Sequence, residues 1–294
     1  MDREMLYCFG LMFGILGVIN SNGVNAIGGR KGDPVKFDEN YEIRWGQRNV
    51  LSLNQDRQIQ LSMDNSSGSG FGSKVSYGSG FFHLRIKVPG RDSAGVVTAF
   101  YVSSRSDHHD ELDLEFLGNS EGKPYSLQTN VYVNGVGNRE QRIVLWFDPS
   151  AAFHTYRILW NQHQVVFYVD NTPIRVFKNN ENIGVGYPGQ PKLVEASIWN
   201  GEDWATDGGK TKINWSYAPF QANFRAFDVS GCPYDAKTSS CYSSGYWWNR
   251  EQYWKLDANQ QKAYEDVRKN YTTYDYCSDT NRFPVQPKEC PFNA

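Results

Sequence analysis

The sequence predicts an all-β fold: a two-sheet antiparallel β-jelly-roll sandwich with a small disulfide-bearing C-terminal extension that contains a helix. Two observations lead to this prediction. Residues 35 to about 227 form a series of short apolar-rich runs, broken by Gly, Asn, Asp and Pro, with no long helical pattern between them. Four of the five cysteines lie after position 231. Many short strands without crossover helices are typical of two packed antiparallel sheets.

The predicted strands share a two-residue alternation of side chains. Several runs alternate apolar with polar residues, as strands buried on one face do. Turn-forming stretches such as VPGRDSAG and NQHQ separate the runs. In chain order the runs are IQLSM, FFHLRIKV, GVVTAFYV, ELDLEF, LQTNVYV, IVLWF, TYRILW, VVFYVD and LVEASIW.

Residues 1–26 are predicted to be a secretory signal peptide. Arg3 precedes an apolar run at residues 5–19, and small residues near Ala26 suit a cleavage site. An apolar run of this length is too short to span a bilayer comfortably, although a signal anchor is the alternative. We therefore expect a secreted chain with no membrane association after the signal is removed.

Two further segments are predicted: residues 27–227 as the β-jelly-roll domain and residues 228–294 as the C-terminal extension. The extension contains the one convincing helical pattern. Asp257, followed three residues later by Gln260, matches a capping box at the helix start. Apolar residues then recur at helical spacing, namely Ala263, Tyr264, Val267 and Tyr271.

Cysteine usage agrees with secretion. Cys8 leaves with the signal peptide, and the remaining four cysteines allow three pairings. We predict nearest-neighbour disulfides, Cys232–Cys241 and Cys277–Cys290, formed in an oxidising compartment. A zinc site is the alternative, but the spacings lack the short Cys-x-x-Cys pairs that such sites usually contain.

The amino-acid composition bears on the kind of molecule that the protein binds. The 30 Lys and Arg nearly balance the 32 Asp and Glu, so the chain lacks the basic character of a nucleic-acid-binding protein. Aromatic residues make up 15% of the chain, and aromatic faces can stack on flat ligands such as sugar rings. A monomer is expected. Three sequons are candidates for N-glycosylation in a secreted protein: Asn65, Asn214 and Asn270.

The segment HHDELDLEFLG, residues 108–118, is the main candidate for a functional site. Successive side chains of a strand point to opposite faces, so Glu111, Asp113 and Glu115 share one face, which His109 joins. The opposite face carries Leu112, Leu114 and Phe116. The apolar face fixes the register of the strand, because a slip by one residue would bury three carboxylates.

Carboxylates in this pattern suit glycoside hydrolysis or transfer, in which one acts as nucleophile and another as acid/base. The Cα atoms of Glu111 and Glu115 would lie about 13 Å apart on a strand, so their side chains must lean toward each other. Asp113 can hydrogen-bond the nucleophile, and its charge can help to raise the pKa of the general acid. A solvent-facing polar sheet surface and a calcium site are the alternatives. Repulsion between like charges argues against the first, and the missing Gly- and Asn-rich loop argues against the second.

This strand and four further stretches resemble the plant xyloglucan endotransglucosylase/hydrolases, a branch of glycoside hydrolase family 16. The stretches are HDELDLEFLGN, SLQTNVYVNGVGNREQR (126–142), LWFDPSAAFHTYRILWN (145–161), IWNGEDWATDGG (198–209) and YDYCSDTNRFP (274–284). Together they cover nearly the whole chain after the signal peptide, including the cysteine-bearing extension. The resemblance implies a curved jelly roll whose concave face is an open cleft for a β-1,4-glucan backbone, and a reaction that needs no cofactor or metal ion.

The resemblance also implies roles for individual residues. By position in the motif, Glu111 looks like the nucleophile, Asp113 its helper and Glu115 the acid/base of a reaction that retains configuration through a covalent glycosyl-enzyme. Tyr101 and Trp204 could instead be core aromatics. The residues implied to bind sugar are Tyr101, His109, Gln128 and Asn130 beside the cleft, Asn138, Arg139 and Glu140 in a polar acceptor-side loop, and Trp199, Asn200, Asp203 and Trp204 at an acceptor-side aromatic platform.

Three functions remain open at the level of sequence. We predict a secreted xyloglucan endotransglucosylase that acts on xyloglucan polymer and oligosaccharide in the plant cell wall and apoplast. The short loop VNGVGNREQR, which resembles that of mainly transferring members, favours transfer. A xyloglucan or β-glucan hydrolase is one alternative. A non-catalytic glucan-binding lectin is another, but binding alone needs no Glu-x-Asp-x-Glu run.

Overall fold

Sixteen β-strands and two α-helices make up the part of the chain that the computed structural model describes, residues 34–236 and 240–293. The helices are α1 (Phe37–Asn40) and α2 (Ala258–Asn270). The strands are β1 (Tyr41–Trp45), β2 (Val50–Leu53), β3 (Gln58–Met63), β4 (Ser69–Ser73), β5 (Tyr77–Lys87), β6 (Val96–Ser103), β7 (Glu111–Leu117), β8 (Ser126–Tyr132), β9 (Gln141–Val144), β10 (His154–Trp160), β11 (Gln164–Val169), β12 (Thr172–Lys178), β13 (Leu193–Asn200), β14 (Phe220–Arg225), β15 (Ser230–Pro233) and β16 (Thr272–Asp275).

The strands form two antiparallel sheets, which confirms the predicted two-sheet sandwich. The first sheet has the order β1-β4-β13-β6-β7-β8-β9-β16. The second has the order β12-β11-β10-β5-β14-β3-β2, and β15 pairs with β5. The acidic strand β7 therefore lies inside the first sheet, with β6 and β8 hydrogen-bonded on either side.

The hydrophobic core lies between the sheets and fixes the orientation of β7. Leu112, Leu114 and Phe116 are all fully buried, as the alternation predicts. The Phe116 ring meets Tyr156 of β10 edge to face, with the centroids 4.6 Å apart. Because one face of β7 packs onto the second sheet, the other face must carry the carboxylates.

The predicted strand IVLWF is only partly correct. The strand β9 ends at Val144, whose N–H donates to the carbonyl of Tyr271 at 2.9 Å. The chain then turns away, and the Phe147 ring stacks on His154 with the centroids 3.7 Å apart. The apolar residues after Val144 therefore pack around the edge of the sheet and do not extend the strand.

The C-terminal residues attach to both sheets. The strand β16 pairs with β9 at the edge of the first sheet, and α2 contacts β12 at the edge of the second. The capping box is confirmed: Asp257 Oδ1 accepts from the Gln260 N–H at 2.9 Å, and Gln260 Oε1 accepts from the Asp257 N–H at 3.1 Å. The two predicted disulfides are also present, Cys232–Cys241 and Cys277–Cys290. The domain boundary at residues 227/228 stays a prediction.

Other predictions concern the termini and the surface. The predicted signal peptide, residues 1–26, lies outside the described residues. Among the residues that are described, no helix is long and apolar enough to cross a membrane. The candidate glycosylation residues Asn65, Asn214 and Asn270 are all exposed, and their use stays a prediction.

The packing of β7 predicts a large cost for Leu114→Ala. Leu114 is fully buried, so truncation should lower the free energy of unfolding by about 2–5 kcal/mol, from lost burial and a residual cavity. Val285→Ala, at a side chain that is 85% exposed, should change it by less than about 0.5 kcal/mol. Urea denaturation measures both changes. Equal effects for the two variants would contradict the placement of Leu114 in the core.

Candidate active site

The strand β7 places three carboxylates in a row on the open face of the first sheet. Asp113 is 6% exposed, and Glu111 and Glu115 are half-buried. Opposing side chains of paired strands lie about 4.5–5.5 Å apart. Each carboxylate has a polar residue opposite it on β8, in the pairs Glu111–Tyr132, Asp113–Asn130 and Glu115–Gln128.

The carboxylates line a cavity of about 500 Å³, a size typical of ligand pockets. The structure brings six of the predicted sugar-binding residues to its walls. They are Tyr101, Gln128, Asn130, Glu140, Trp199 and Trp204. The centroids of the Trp199 and Trp204 rings lie 6.0 Å apart, and the rings are inclined at 38°. Both side chains border the same cavity as Glu115.

Glu115 is held by a chain of hydrogen bonds across three strands. Its Oε2 accepts from Gln128 Nε2 at 2.8 Å, and Gln128 Oε1 accepts from Arg142 Nε at 2.7 Å. Because a guanidinium can only donate, Arg142 fixes the Gln128 amide with its NH₂ toward Glu115. Burial raises the pKa of Glu115 to about 6; the Gln128 hydrogen bond opposes this rise and the charge of Glu111 adds to it. Glu115 can therefore both hold and release a proton under mildly acidic conditions.

Asp113 lies between the two glutamates. Burial raises its pKa well above the ordinary value, and the charges of Glu111 and Glu115 act in the same direction. A hydrogen bond between Asp113 and Glu111 raises the pKa further, whereas Arg175 opposes the rise. A protonated Asp113 can donate a hydrogen bond to Glu111. The row therefore contains one hydrogen-bond donor (Asp113), one acid with a raised pKa (Glu115) and one further carboxylate (Glu111).

Clustered carboxylates can also bind calcium. In this row Glu115 accepts a hydrogen bond from Gln128. Within residues 34–236 and 240–293, no group of three or more His, Cys, Asp and Glu side chains is placed to hold a metal ion.

Asp110 ties the start of β7 to two neighbouring segments. Its Oδ1 accepts from the Asn134 N–H and its Oδ2 from the Gln190 N–H, both at 2.8 Å. The fully buried Lys192 has its Nζ 3.6 Å from Asp110 Oδ2 and 3.9 Å from the centre of the Trp160 ring. Burial lowers the pKa of Lys192 to about 7, and Asp110 opposes this change. The network fixes the backbone just before the carboxylate row.

Arg139, which was predicted to bind sugar, has its side chain engaged by protein groups in the structure. Its side chain is only 16% exposed, and its Nε donates to Glu289 at 2.9 Å. Its Nη1 donates to the carbonyls of Val131, Val136 and Gly137. The guanidinium thus stabilises its own loop and binds the C-terminal extension, and it does not line the cavity.

Two further predicted residues lie beside the cavity rather than on its wall. His109 stacks on Tyr132, with the ring centroids 5.4 Å apart. Asn138 Oδ1 accepts from Arg282 Nη2 at 2.6 Å. Arg282 belongs to the C-terminal extension, so Asn138 connects the acceptor-side loop to that extension.

Asn200 and Asp203 are exposed and bond within their own loop. Asn200 Oδ1 accepts from the Glu202 N–H at 2.9 Å. Asp203 forms an ion pair with Lys212 at 2.9 Å, and its side chain is 91% exposed. Neither residue lines the cavity. Asn200 ends β13 and points to the face opposite Trp199, and Asp203 lies in the loop that follows.

Sequence reasoning missed Tyr132 and Ser197, which also line the cavity. On β8, Gln128 and Asn130 face the carboxylates, so the two-residue period extends the same face to Tyr132. Burial and the neighbouring carboxylates raise the pKa of Tyr132 to about 12. The alternation of β8 could therefore have predicted this residue.

Two family models match the chain. Residues 37–217 match glycosyl hydrolases family 16, and residues 242–290 match the xyloglucan endo-transglycosylase C-terminus. The first match covers the two sheets except their last strands, and the second contains α2 and β16. The two family models therefore cover both parts of the chain in which the sequence motifs lie.

Similar proteins agree with these matches. A putative xyloglucan endotransglucosylase/hydrolase protein 1 from Arabidopsis thaliana is 61% identical over 88% of each chain. The xyloglucan endotransglucosylase/hydrolase protein 2 of the same plant is 55% identical over 99% of each chain. The solved structure of the β-glucanase of Bacillus licheniformis is similar in fold, with a TM-score of 0.53 and 24% identity over 63% of this chain and 89% of that one. By its family models and its full-length identity to these relatives, the chain belongs to the xyloglucan endotransglucosylase/hydrolases of glycosyl hydrolases family 16.

Proposed function

We propose that the chain is a retaining xyloglucan endotransglucosylase, which cleaves a β-1,4-glucan backbone and joins the fragment to another xyloglucan chain. The observation that carries this proposal is the carboxylate row of β7, in which three acidic side chains have three different environments. The full-length relatives named for this activity support the substrate. The carboxylates supply nucleophile and acid/base themselves, so the reaction calls for no cofactor.

In the first step, Glu111 attacks the anomeric carbon and Glu115 protonates the leaving oxygen. The new bond to Glu111 forms as the glycosidic C–O bond breaks, and the electron pair leaves with the oxygen. Asp113 donates its proton in a hydrogen bond to Glu111 and so orients the nucleophile without adding a charge. The raised pKa of Glu115, about 6, keeps a proton available for the departing sugar.

In the second step, an acceptor hydroxyl replaces the protein at the anomeric carbon. Esterification removes the charge of Glu111, which is one of the causes that raise the pKa of Glu115. Glu115 is then a carboxylate that accepts the proton of the incoming hydroxyl. Two displacements at the same carbon retain its configuration.

Transfer requires an acceptor sugar to outcompete water. Trp199 and Trp204 can stack on the apolar faces of sugar rings next to Glu115. Asn130 Oδ1 accepts from two backbone N–H groups, so its NH₂ remains directed away from them. Glu140, at the cavity wall, is held by Arg282 of the C-terminal extension at 2.7 Å. These contacts favour a bound acceptor over free water.

Secretion to the plant cell wall and apoplast is part of the proposal. The predicted signal peptide and the two disulfides support it, because disulfides persist in oxidising compartments. Glycosylation at the three exposed sequons would follow from the same route.

A label-transfer assay tests the function. Polymeric xyloglucan and a fluorescent xyloglucan oligosaccharide should react so that label enters the polymer without an equal gain of reducing ends. Glu111→Ala should lower the rate by at least roughly 10³-fold, because it removes the nucleophile. The exposed Glu121→Ala, a carboxylate just beyond β7, should retain the wild-type rate.

Other results of this assay would contradict the proposal. New reducing ends without label incorporation would identify a hydrolase. Full activity in Glu111→Ala would remove Glu111 from the chemistry. Binding of xyloglucan without either product would identify a lectin.

The hydrogen bond from Gln128 predicts a directional pH effect. This bond lowers the pKa of Glu115, so Gln128→Leu should raise it. Because Glu115 acts first as an acid, the alkaline limb of the kcat/KM profile, which falls as pH rises through about 6 in the wild type, should move to higher pH. Gln261→Leu on α2 should leave the limb in place. An unmoved limb, or one at lower pH, would argue against Glu115 as the acid.

A further inference from the structure

A second cavity adjoins the carboxylate row on the side of Glu111. Its volume is about 620 Å³, and it shares Tyr101 and Glu111 with the first cavity. Its far walls come from β1, from β13 and from the loop that follows β6. The side chains there that matter for recognition are Trp45, Arg105 and Glu195, none of which the sequence motifs identify.

A glycine of β4 lies directly against the Trp45 ring. A Cβ at Gly70 would lie 2.5 Å from Nε1 and 2.9 Å from Cε2 of Trp45. Both distances are too short for a real contact. The nitrogen-bearing edge of the indole thus lies against the backbone of β4 at Gly70. Glycine weakens a strand interior, and here it makes room for the ring.

The other face of the Trp45 ring is open. Trp45 is 41% exposed, although it lines a cavity. A rigid indole that rests on backbone on one side and faces a polar cavity on the other can stack on the apolar face of a sugar ring. Incidental exposure on an edge strand would not require a glycine beneath the ring, as Gly70 is.

A charged pair lies next to this ring. Arg105 Nη2 is 3.3 Å from Glu195 Oε1, and the two side chains are 59% and 12% exposed. A carboxylate has about four acceptor positions and a guanidinium five N–H donors, so this single contact leaves most of them for a ligand. Sugar hydroxyls both donate and accept, which suits such a pair.

The position of the cavity identifies its occupant. It contains Glu111 but not Glu115, and the sugar that becomes bonded to Glu111 in the proposed reaction belongs to the donor chain. Four strand spacings separate β7 from β1, about 19 Å at about 4.8 Å each. A donor chain that crosses the sheet in this direction must extend by several sugar rings to reach Trp45.

We propose that Trp45, together with Arg105 and Glu195, forms a distal donor-side subsite that stacks one sugar ring of a long glucan donor. The proposal rests on the proposed transglucosylase function, and it adds the prediction that the protein distinguishes donors by length. Trp45 acts by binding alone and takes no part in bond cleavage.

The test compares a short donor, whose backbone ends before β1, with polymeric xyloglucan. Trp45→Ala should lower kcat/KM for the polymer roughly 10-fold, equivalent to about 1.4 kcal/mol, through KM for the donor. It should leave the short donor and the KM of the acceptor unchanged. Trp45→Phe, which keeps a ring, should recover part of the loss. Trp254→Ala is the matched control, because Trp254 is 42% exposed and lies outside both cavities.

Outcomes that overturn the subsite differ from those that overturn the function. Equal losses for short and long donors, or no loss in Trp45→Ala, would remove Trp45 from donor binding. If Trp45→Ala does not fold, Trp45→Phe and the exposed Arg105→Gln answer the same question, and a normal KM for polymer in both would refute the subsite.

If the wild type neither transfers nor hydrolyses, calorimetry with xyloglucan oligosaccharides of increasing length still tests the subsite. Affinity that does not rise with length, or rises equally in Trp45→Ala, would count against it.

Discussion

The two-residue alternation of β7 is the constraint on which the site depends. Its apolar face is fully buried against the second sheet, so the strand cannot slip by one residue without burying carboxylates in the core. Asp110 fixes the same register from outside the strand, through hydrogen bonds to two loops and the buried Lys192. Core packing and loop anchoring together decide which atoms face the sugar.

The three carboxylates differ because their surroundings differ, although their residue types are nearly the same. Asp113 is the most deeply buried and is favoured in the protonated form. Glu115 is poised near pH 6 because burial and the Gln128 hydrogen bond oppose each other. The Arg142 guanidinium, one strand further, sets the orientation of that amide. The proposed role of each carboxylate therefore depends on hydrogen bonds across β8 and β9 as much as on β7 itself.

Local sequence patterns predicted the parts of the structure that depend on residues only a few positions apart. The alternation of β7 and the capping box of α2 are examples, since each depends on residues within a few positions. The Gly-rich β4 gave no apolar signal, and Trp45 and Lys192 acquire their environments only from strands distant in sequence. For the same reason the contacts of Arg139 could not be predicted, because Glu289, which accepts from it, lies 150 positions later in the chain.

The most direct measurement is to trap the covalent intermediate. A xyloglucan oligosaccharide with a 2-fluoro donor sugar and a good leaving group should form a stable glycosyl ester, which mass spectrometry of protease fragments can locate. The account predicts one added glycosyl group on Glu111, the first carboxylate of β7. An ester on Asp113 or Glu115, or product of inverted configuration without any ester, would contradict the assignment of the nucleophile and with it the proposed order of the three carboxylates.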